Sequence, residues 1–406
     1  MYTRDTTVAV FPFTRQPDQQ DVIIGRVETG VFLAVPPEAV ELLEQLAQGK
    51  SVGEVADLYQ EKYGESADLD DFLTIMEEKG IVAPGSQDVT RTAVPSPQRV
   101  QRYHFSGFPQ PLARRLFSRP VLAGCFLLIA VALGMALPNR SLVGGWRDLY
   151  FPDHRIFSWG FLTLAGYAAL FVHELAHLVA ARALGINSRM GISNRLWYLV
   201  AETDLSGLWT VPKEQRYLPM LAGILVDAVS GSLLVFVLFA HSHRWMALST
   251  LCARLVRAMA FTYLMRIVWQ FCLFIRTDLY YVIANIFNCR SLLSDTKVFL
   301  RNQMARVIPA VRSVDQSAIP VAERRMIRIY SVLFVAGRLW ALFLLLSVTV
   351  PLFVRYSSSL ANAFRTGYSA NPYGFVDAAL LATYFLLPTT IGFTLWVSGM
   401  IRRERN

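Results

Sequence analysis

The sequence predicts a mainly α, polytopic membrane protein of six transmembrane helices, preceded by a small α+β, winged-helix-like N-terminal domain. Three observations carry that reading. The 406-residue chain is 54% hydrophobic, has positive mean hydropathy and is only 17% charged, against roughly 25% in a typical soluble domain. Its charge is also split: residues 1–99 hold 17 acidic and 8 basic side chains, a net of −9, whereas the whole chain is +9, leaving +18 for the remainder. Finally, six apolar runs between residues 120 and 400 approach or exceed the ~20 residues that a helix needs to cross a bilayer. An acidic soluble module joined to a basic membrane module accounts for the charge pattern, and no nucleic-acid partner is needed.

Residues 1–84 read as the soluble module. Val8–Phe13, Asp21–Val27 and Gly30–Val35 have strand composition, with a turn at Glu28-Thr29-Gly30. Three amphipathic helices follow. Pro37–Gln48 carries Val40, Leu43 and Leu46 on its buried face, and Ser51–Tyr63 opens with Ser51 and Glu54 in capping-box spacing, with Val55 and Leu58 on one face. Asp68–Lys79 stops at Gly80, before Ile81-Val82. The run VIIGRVETGVFLAVPPEAVELLEQLAQGKSVGEVADLYQEKYG, followed by DLDDFLTIMEEKGIV, resembles a PqqD-like domain, the peptide-recognition element of pathways that make modified ribosomal peptides. The resemblance implies that a precursor or leader peptide adds as a strand along the sheet edge. A docking or dimerisation module is the alternative reading of the same residues.

Residues 85–119 form a Pro-rich, basic linker containing Pro95, Pro97, Pro109 and Pro111, and Leu112–Phe117 is expected at the lipid surface. The membrane domain, 120–406, holds the spans Pro120–Leu137, Phe157–Leu184, Leu218–Ala240, Ala247–Ile275, Ile329–Val354 and Phe375–Met400. Arg114, Arg115 and Arg119 place the start of the first span inside. Arg290, Lys297, Arg301, Arg306, Arg312, Arg324 and Arg325 place the loop 276–328 there, and Arg402-Arg403 the tail. Both termini are therefore expected in the cytoplasm. No signal peptide precedes the first domain, and Leu122–Cys125 only imitates a lipoprotein cleavage box. The four cysteines show no CxxC pair and read as small buried hydrophobes.

The second span carries the chemistry. Its 28 residues include His173, Glu174 and His177, and ionisable groups at membrane depth mark function. Residues four apart lie on one helix face. HExxH therefore offers two imidazoles to hold zinc and a carboxylate to take a proton from water. In this topology His173 sits eleven residues from the cytoplasmic end, ~16 Å deep. A catalytic zinc needs a third protein ligand. His154, His241 and His243 fall on the outer side and His104 in the linker, so Asp278, just past the fourth span, is the better candidate. A helix-end charge paired with Arg276 is the alternative for Asp278. Asp227, Arg254, Arg257, Arg266 and Arg338 read as interhelical pairs.

The core, about 157–292, resembles the site-2 protease family of intramembrane zinc metalloproteases, especially the bacterial branch described as peptide zinc metalloproteases. The motifs are HELAHLVAARALGI, ETDLSGLW, AGILVD and IRTDLYYVIANIFNCRSL. The resemblance implies Zn²⁺ on His173, His177 and Asp278, with Glu174 as the catalytic acid/base, and substrate positioning near Asp227 and Asp204. It also implies a re-entrant hairpin within 185–216, here with short strands at Leu196–Val200 and Leu208–Val211; a helical hairpin loop is the alternative. The chain departs from the family at Ile224, Cys272, Leu273 and Leu279, where proline, Asn-Pro and glycine are usual. Cleavage of a precursor peptide is the expected activity, with an exporter or modification enzymes as partners. Regulated cleavage of a membrane signalling protein, or a non-catalytic peptide-binding adaptor for an exporter, are the alternatives.

Overall fold

The computed structural model describes residues 2–18, 21–26, 29–85, 103–105, 107–195, 198–289, 291–316, 319 and 321–404. Pro95, Pro97, Leu196, Trp197, Glu28 and Arg290 of the expectations above lie outside them. The chain is mainly helical, with a small sheet region at its N-terminus. It divides into two compact units: Met1–Arg114 with Leu178–Ser193 and Glu202–Leu218, and the remainder.

In the first unit, β1 (Val8–Val10) pairs antiparallel with β5 (Val82–Pro84), and β2 (Thr14–Asp18), β3 (Asp21–Arg26) and β4 (Val31–Val35) form an antiparallel sheet in that order. Three helices, α1 (Pro37–Ala47), α2 (Val52–Tyr63) and α3 (Leu69–Glu78), supply the rest of the core. Ile24, Leu43, Leu46, Val55, Leu73 and Ile81 are each at most 1% exposed. The capping box closes as its spacing predicts: Ser51 Oγ accepts from Glu54 N–H at 3.3 Å, and Glu54 accepts from Ser51 N–H at 2.8 Å. Leu58 shares the Val55 side of α2 yet stays 41% exposed, because the helix is covered only near its start.

Strand β2 is a departure from the sequence reading. TRQPD has no apolar alternation and includes Pro17, so nothing local announces a strand; the ladder to β3, from Thr14 opposite Gly25 to Asp18 opposite Asp21, creates it. Shortening a core side chain here should be costly. Leu43→Ala is expected to destabilise this module by about 2–5 kcal/mol, as other buried leucine truncations do. The measurement is faster amide exchange in β3 and α1 of the full chain.

The linker is not featureless. Residues Tyr103–Phe105 form β6, which pairs with β7 (Arg189–Arg195), and β8 (Tyr198–Asp204) completes a three-stranded sheet in the order β6-β7-β8. The hairpin thus begins seven residues earlier than expected. Leu208–Val211 is not a strand: Ser206–Thr210 is a 3₁₀ turn, which Asp204 starts by accepting from Ser206 N–H and Oγ. That turn packs on β2 and β4. Arg216, 1% exposed, anchors the segment by donating to the Val211 carbonyl and lying 4.9 Å from the Trp209 ring.

After α4 (Gln110–Leu116), the second unit contains α5 (Arg119–Ala136), most of α6 (Arg155–Ala183) and α7 (Tyr217–Ser242). It continues with α8 (Thr250–Trp269), α9 (Asp278–Phe287), α10 (Leu292–Ala305), α11 (Val321–Leu344), α12 (Val350–Thr366) and α13 (Pro372–Glu404). Among the described residues four helical segments are long and apolar enough to cross a membrane: Arg119–Ala136, Arg155–Ala183, Lys213–Ser242 and Glu323–Thr366. The last joins α11 and α12 through a π turn at Leu345–Thr349, placed where Pro351 cannot donate to the preceding turn.

The run expected to span at 247–275 becomes α8, 20 residues carrying Arg254, Arg257 and Arg266. Arg254 donates to the Tyr150 carbonyl at 2.7 Å, and Arg257 lies 3.8 Å from Asp148. Arg338 on α11 has no ion pair among the described residues and stacks 5.1 Å over Phe334. Helix α13 is 33 residues long and includes the apolar stretch Pro372–Leu387. Asp377 of α13 accepts from the backbone N–H groups of Arg155 and Ile156 and from the Arg155 guanidinium, at 3.0 to 3.1 Å. It thereby satisfies the orphan donors at the start of α6 and pins the helix that bears HELAH.

Candidate metal centre

Helix α6 is built on an apolar run with no proline, in which alanine and leucine outnumber the unfavourable Gly160 and Gly166. Three ionisable residues fall within two turns of it, at positions 173, 174 and 177. His173 is 6% exposed and His177 3%, with ring centroids 4.9 Å apart, and Glu174 is half-buried beside them. Ligating atoms of His173, Glu174 and His177 all lie within 4.8 Å of one another.

Each imidazole is held from behind at Nδ1. His173 Nδ1 lies 2.9 Å from Asp227 Oδ2, and His177 Nδ1 lies 2.7 Å from the Pro219 carbonyl oxygen. An oxygen acceptor at Nδ1 places the ring proton there and leaves the Nε2 lone pair free. Both Nε2 atoms face Asp278, whose Oδ2 is 3.0 Å from that of His173 and 3.4 Å from that of His177. Two imidazole nitrogens and a carboxylate oxygen therefore converge on one point, where either a proton on Nε2 or a bound cation would offset the charge of the carboxylate.

The backbone leaves room for a cation. Gly223 of α7 faces the same point: a Cβ there would stand 2.5 Å from His173 Nε2 and 2.5 Å from His177 Nε2. A side chain of any size would fill the space that a bound ion requires. Donor chemistry and cradle both fit zinc, which takes imidazole nitrogen and carboxylate oxygen and, in catalytic sites, three protein ligands with an open position.

Asp278 reaches this point through a series of turns after α8. Cys272 N–H donates to Trp269 O, Leu273 N–H to Phe271 O, Ile275 N–H to Cys272 O and Thr277 N–H to Ile275 O, at 2.8 to 3.1 Å. The Leu273 bond is one that proline could not make. Tyr330 of α11 donates its hydroxyl to the Leu273 carbonyl, and Gly337 lets α11 approach so closely that a Cβ would meet Leu273 N at 2.8 Å. Thr277 then caps α9 by accepting from Tyr280 N–H. Ile224 lies inside the unbroken α7, and Leu279 packs on the cluster around Leu273, Tyr280 and Tyr330.

Asp227 is 1% exposed, and its Oδ2 lies at hydrogen-bond distance from both His173 Nδ1 and Arg266 Nε. Asp204 spends its carboxylate on the turn at Ser206. The remaining histidines with described side chains are engaged elsewhere: His154 with the Tyr373 hydroxyl, His241 with the Met246 carbonyl and His243 with the Phe239 carbonyl. Sequence reasoning missed Gln270, which brackets Asp278, and the Pro219 carbonyl. The first had a signal in its four-residue spacing from Arg266; the second, a backbone atom, had none. No family model, no curated protein and no solved structure matches this chain.

Proposed function

We propose that the chain is an intramembrane zinc metallopeptidase of site-2 protease type that hydrolyses a peptide bond in a precursor peptide. The observation that carries the reading is the meeting of His173 Nε2, His177 Nε2 and Asp278 Oδ2, from segments about a hundred residues apart, with the Glu174 carboxylate alongside. His173, His177 and Asp278 would hold the ion. A zinc ion so held supplies Lewis acidity toward a carbonyl oxygen and makes water a nucleophile near neutral pH.

The residues of the chain do the rest. Glu174 takes the proton of the attacking water and returns it to the leaving amine as the C–N bond breaks. Asp227 and the Pro219 carbonyl keep both imidazoles in the tautomer that presents Nε2. The six-span topology with cytoplasmic termini belongs to this proposal, supported by the four long apolar helices and the basic loops. So does recruitment of a leader by the N-terminal module, supported by a three-stranded sheet whose outer strands β2 and β4 suit strand addition.

Purified full-length protein is expected to carry about one zinc per chain, the number a single three-ligand site holds. It should cleave a short peptide encoded beside it, lose cleavage on chelation and regain it with zinc. Cleavage of a membrane signalling protein instead would select regulated proteolysis. Absence of both zinc and cleavage would overturn the enzyme and favour the adaptor.

A further inference from the structure

Behind the three donor atoms lies a single helix face. Arg266 and Gln270 stand four residues apart at the end of α8, so their side chains leave the same side of the helix. Each reaches one of the two carboxylates that meet His173. Arg266 Nε donates to Asp227 Oδ2 at 3.0 Å, the oxygen that also accepts from His173 Nδ1. Gln270 Nε2 donates to Asp278 Oδ2 at 3.2 Å, while Gln270 Oε1 accepts from Asp278 N–H at 3.0 Å.

We propose that Arg266 and Gln270 are the positioning residues of the metal centre, one bracing a ligand from behind and the other clamping a ligand directly. This rests on the zinc reading above. Asp227 has a side chain only 2% exposed, and a buried carboxylate that loses its cationic partner is costly and free to move. Arg266, permanently charged, holds the Asp227 carboxylate in place against His173 Nδ1 and so fixes the orientation of that ring. Gln270 grips Asp278 at two points, backbone and carboxylate, which limits the side chain to the orientation aimed at both Nε2 atoms. Thr277 Oγ1 donates to the Gln270 carbonyl at 3.0 Å and closes the loop between them. One helix thus sets the spacing between the histidine pair on α6 and the carboxylate on α9, although α8 contributes no ligand itself.

The test is zinc affinity by chelator competition, with the visible spectrum of the Co²⁺-substituted full-length protein reporting site geometry. Removing an outer-shell partner of a metal ligand typically lowers affinity 10–100-fold. Losses of about that size are expected for Arg266→Gln and Gln270→Ala, each with a changed Co²⁺ spectrum. Arg266→Lys, which keeps the charge and loses the fork, should fall between. Gln270→Glu, which keeps an acceptor for Asp278 N–H but faces a carboxylate with another, should bind no better than Gln270→Ala. Should Arg266→Gln fail to fold, Gln270→Ala decides, because it removes no charge. Wild-type affinity and spectrum in folded variants would overturn this assignment alone; an unmutated chain that takes up no metal would overturn the zinc reading and this one together.

Discussion

Glu174→Gln is expected to yield a chain that keeps its zinc and loses cleavage. The change preserves the size and hydrogen-bonding reach of the side chain but removes its ability to take a proton. None of the three atoms that converge on the proposed ion position belongs to Glu174, so metal content should stay near that of the unmutated protein. General acid–base catalysis contributes about 10²–10⁴-fold to a rate, and a loss of that order is expected here. Metal analysis and peptide cleavage measured on the same preparation check both halves. Undiminished cleavage would remove Glu174 from the mechanism. Zinc lost together with activity would make Glu174 a ligand and displace Asp278 from that role.

Gly223→Ala should have the opposite signature, with the helix intact and the metal gone. Alanine is the better helix former by up to about 1 kcal/mol, so α7 itself gains from the change. The cost falls on the site. The added methyl would stand 2.5 Å from both Nε2 atoms and 2.6 Å from His173 Cε1. Either the imidazoles rotate away, giving up Asp227 and the Pro219 carbonyl, or the methyl occupies the space of the ion. Zinc affinity should fall by about 100-fold or more, at or beyond the top of the range for a lost outer-shell partner. Zinc titration checks this, with thermal unfolding of the metal-free chain as the control for folding. Wild-type affinity in this variant would place the ion somewhere other than between the two rings.

Much of the N-terminal module was legible in its sequence because its signals are local. The capping box, the buried Val40, Leu43 and Leu46 of α1 and the stop at Gly80 depend on neighbours within one or two turns, and the structure places each as read. Strand β2 was not legible, because a polar edge strand is made by its partner and not by its own pattern. The same holds for β6, whose three residues in a linker acquire a strand's identity only from β7. In the membrane domain the apolar runs announced the helices, while Arg254, Arg257 and Arg266 set α8 apart from the four long apolar segments.

The candidate site divides along the same line. The spacing of His173 and His177 by itself determined that two imidazoles share a helix face, since that follows from the 3.6-residue turn. The sequence also narrowed the third partner to Asp278, by counting the few other histidines and assigning sides of a bilayer. Only the tertiary structure decided which atoms meet. That Asp227 stands behind His173, that Arg266 and Gln270 work from one face of α8, and that Gly223 leaves the space between two Nε2 atoms are contacts between segments tens of residues apart. They depend on where whole helices settle, and helices settle by packing and by buried polar pairing, neither of which is encoded in any short stretch of the chain.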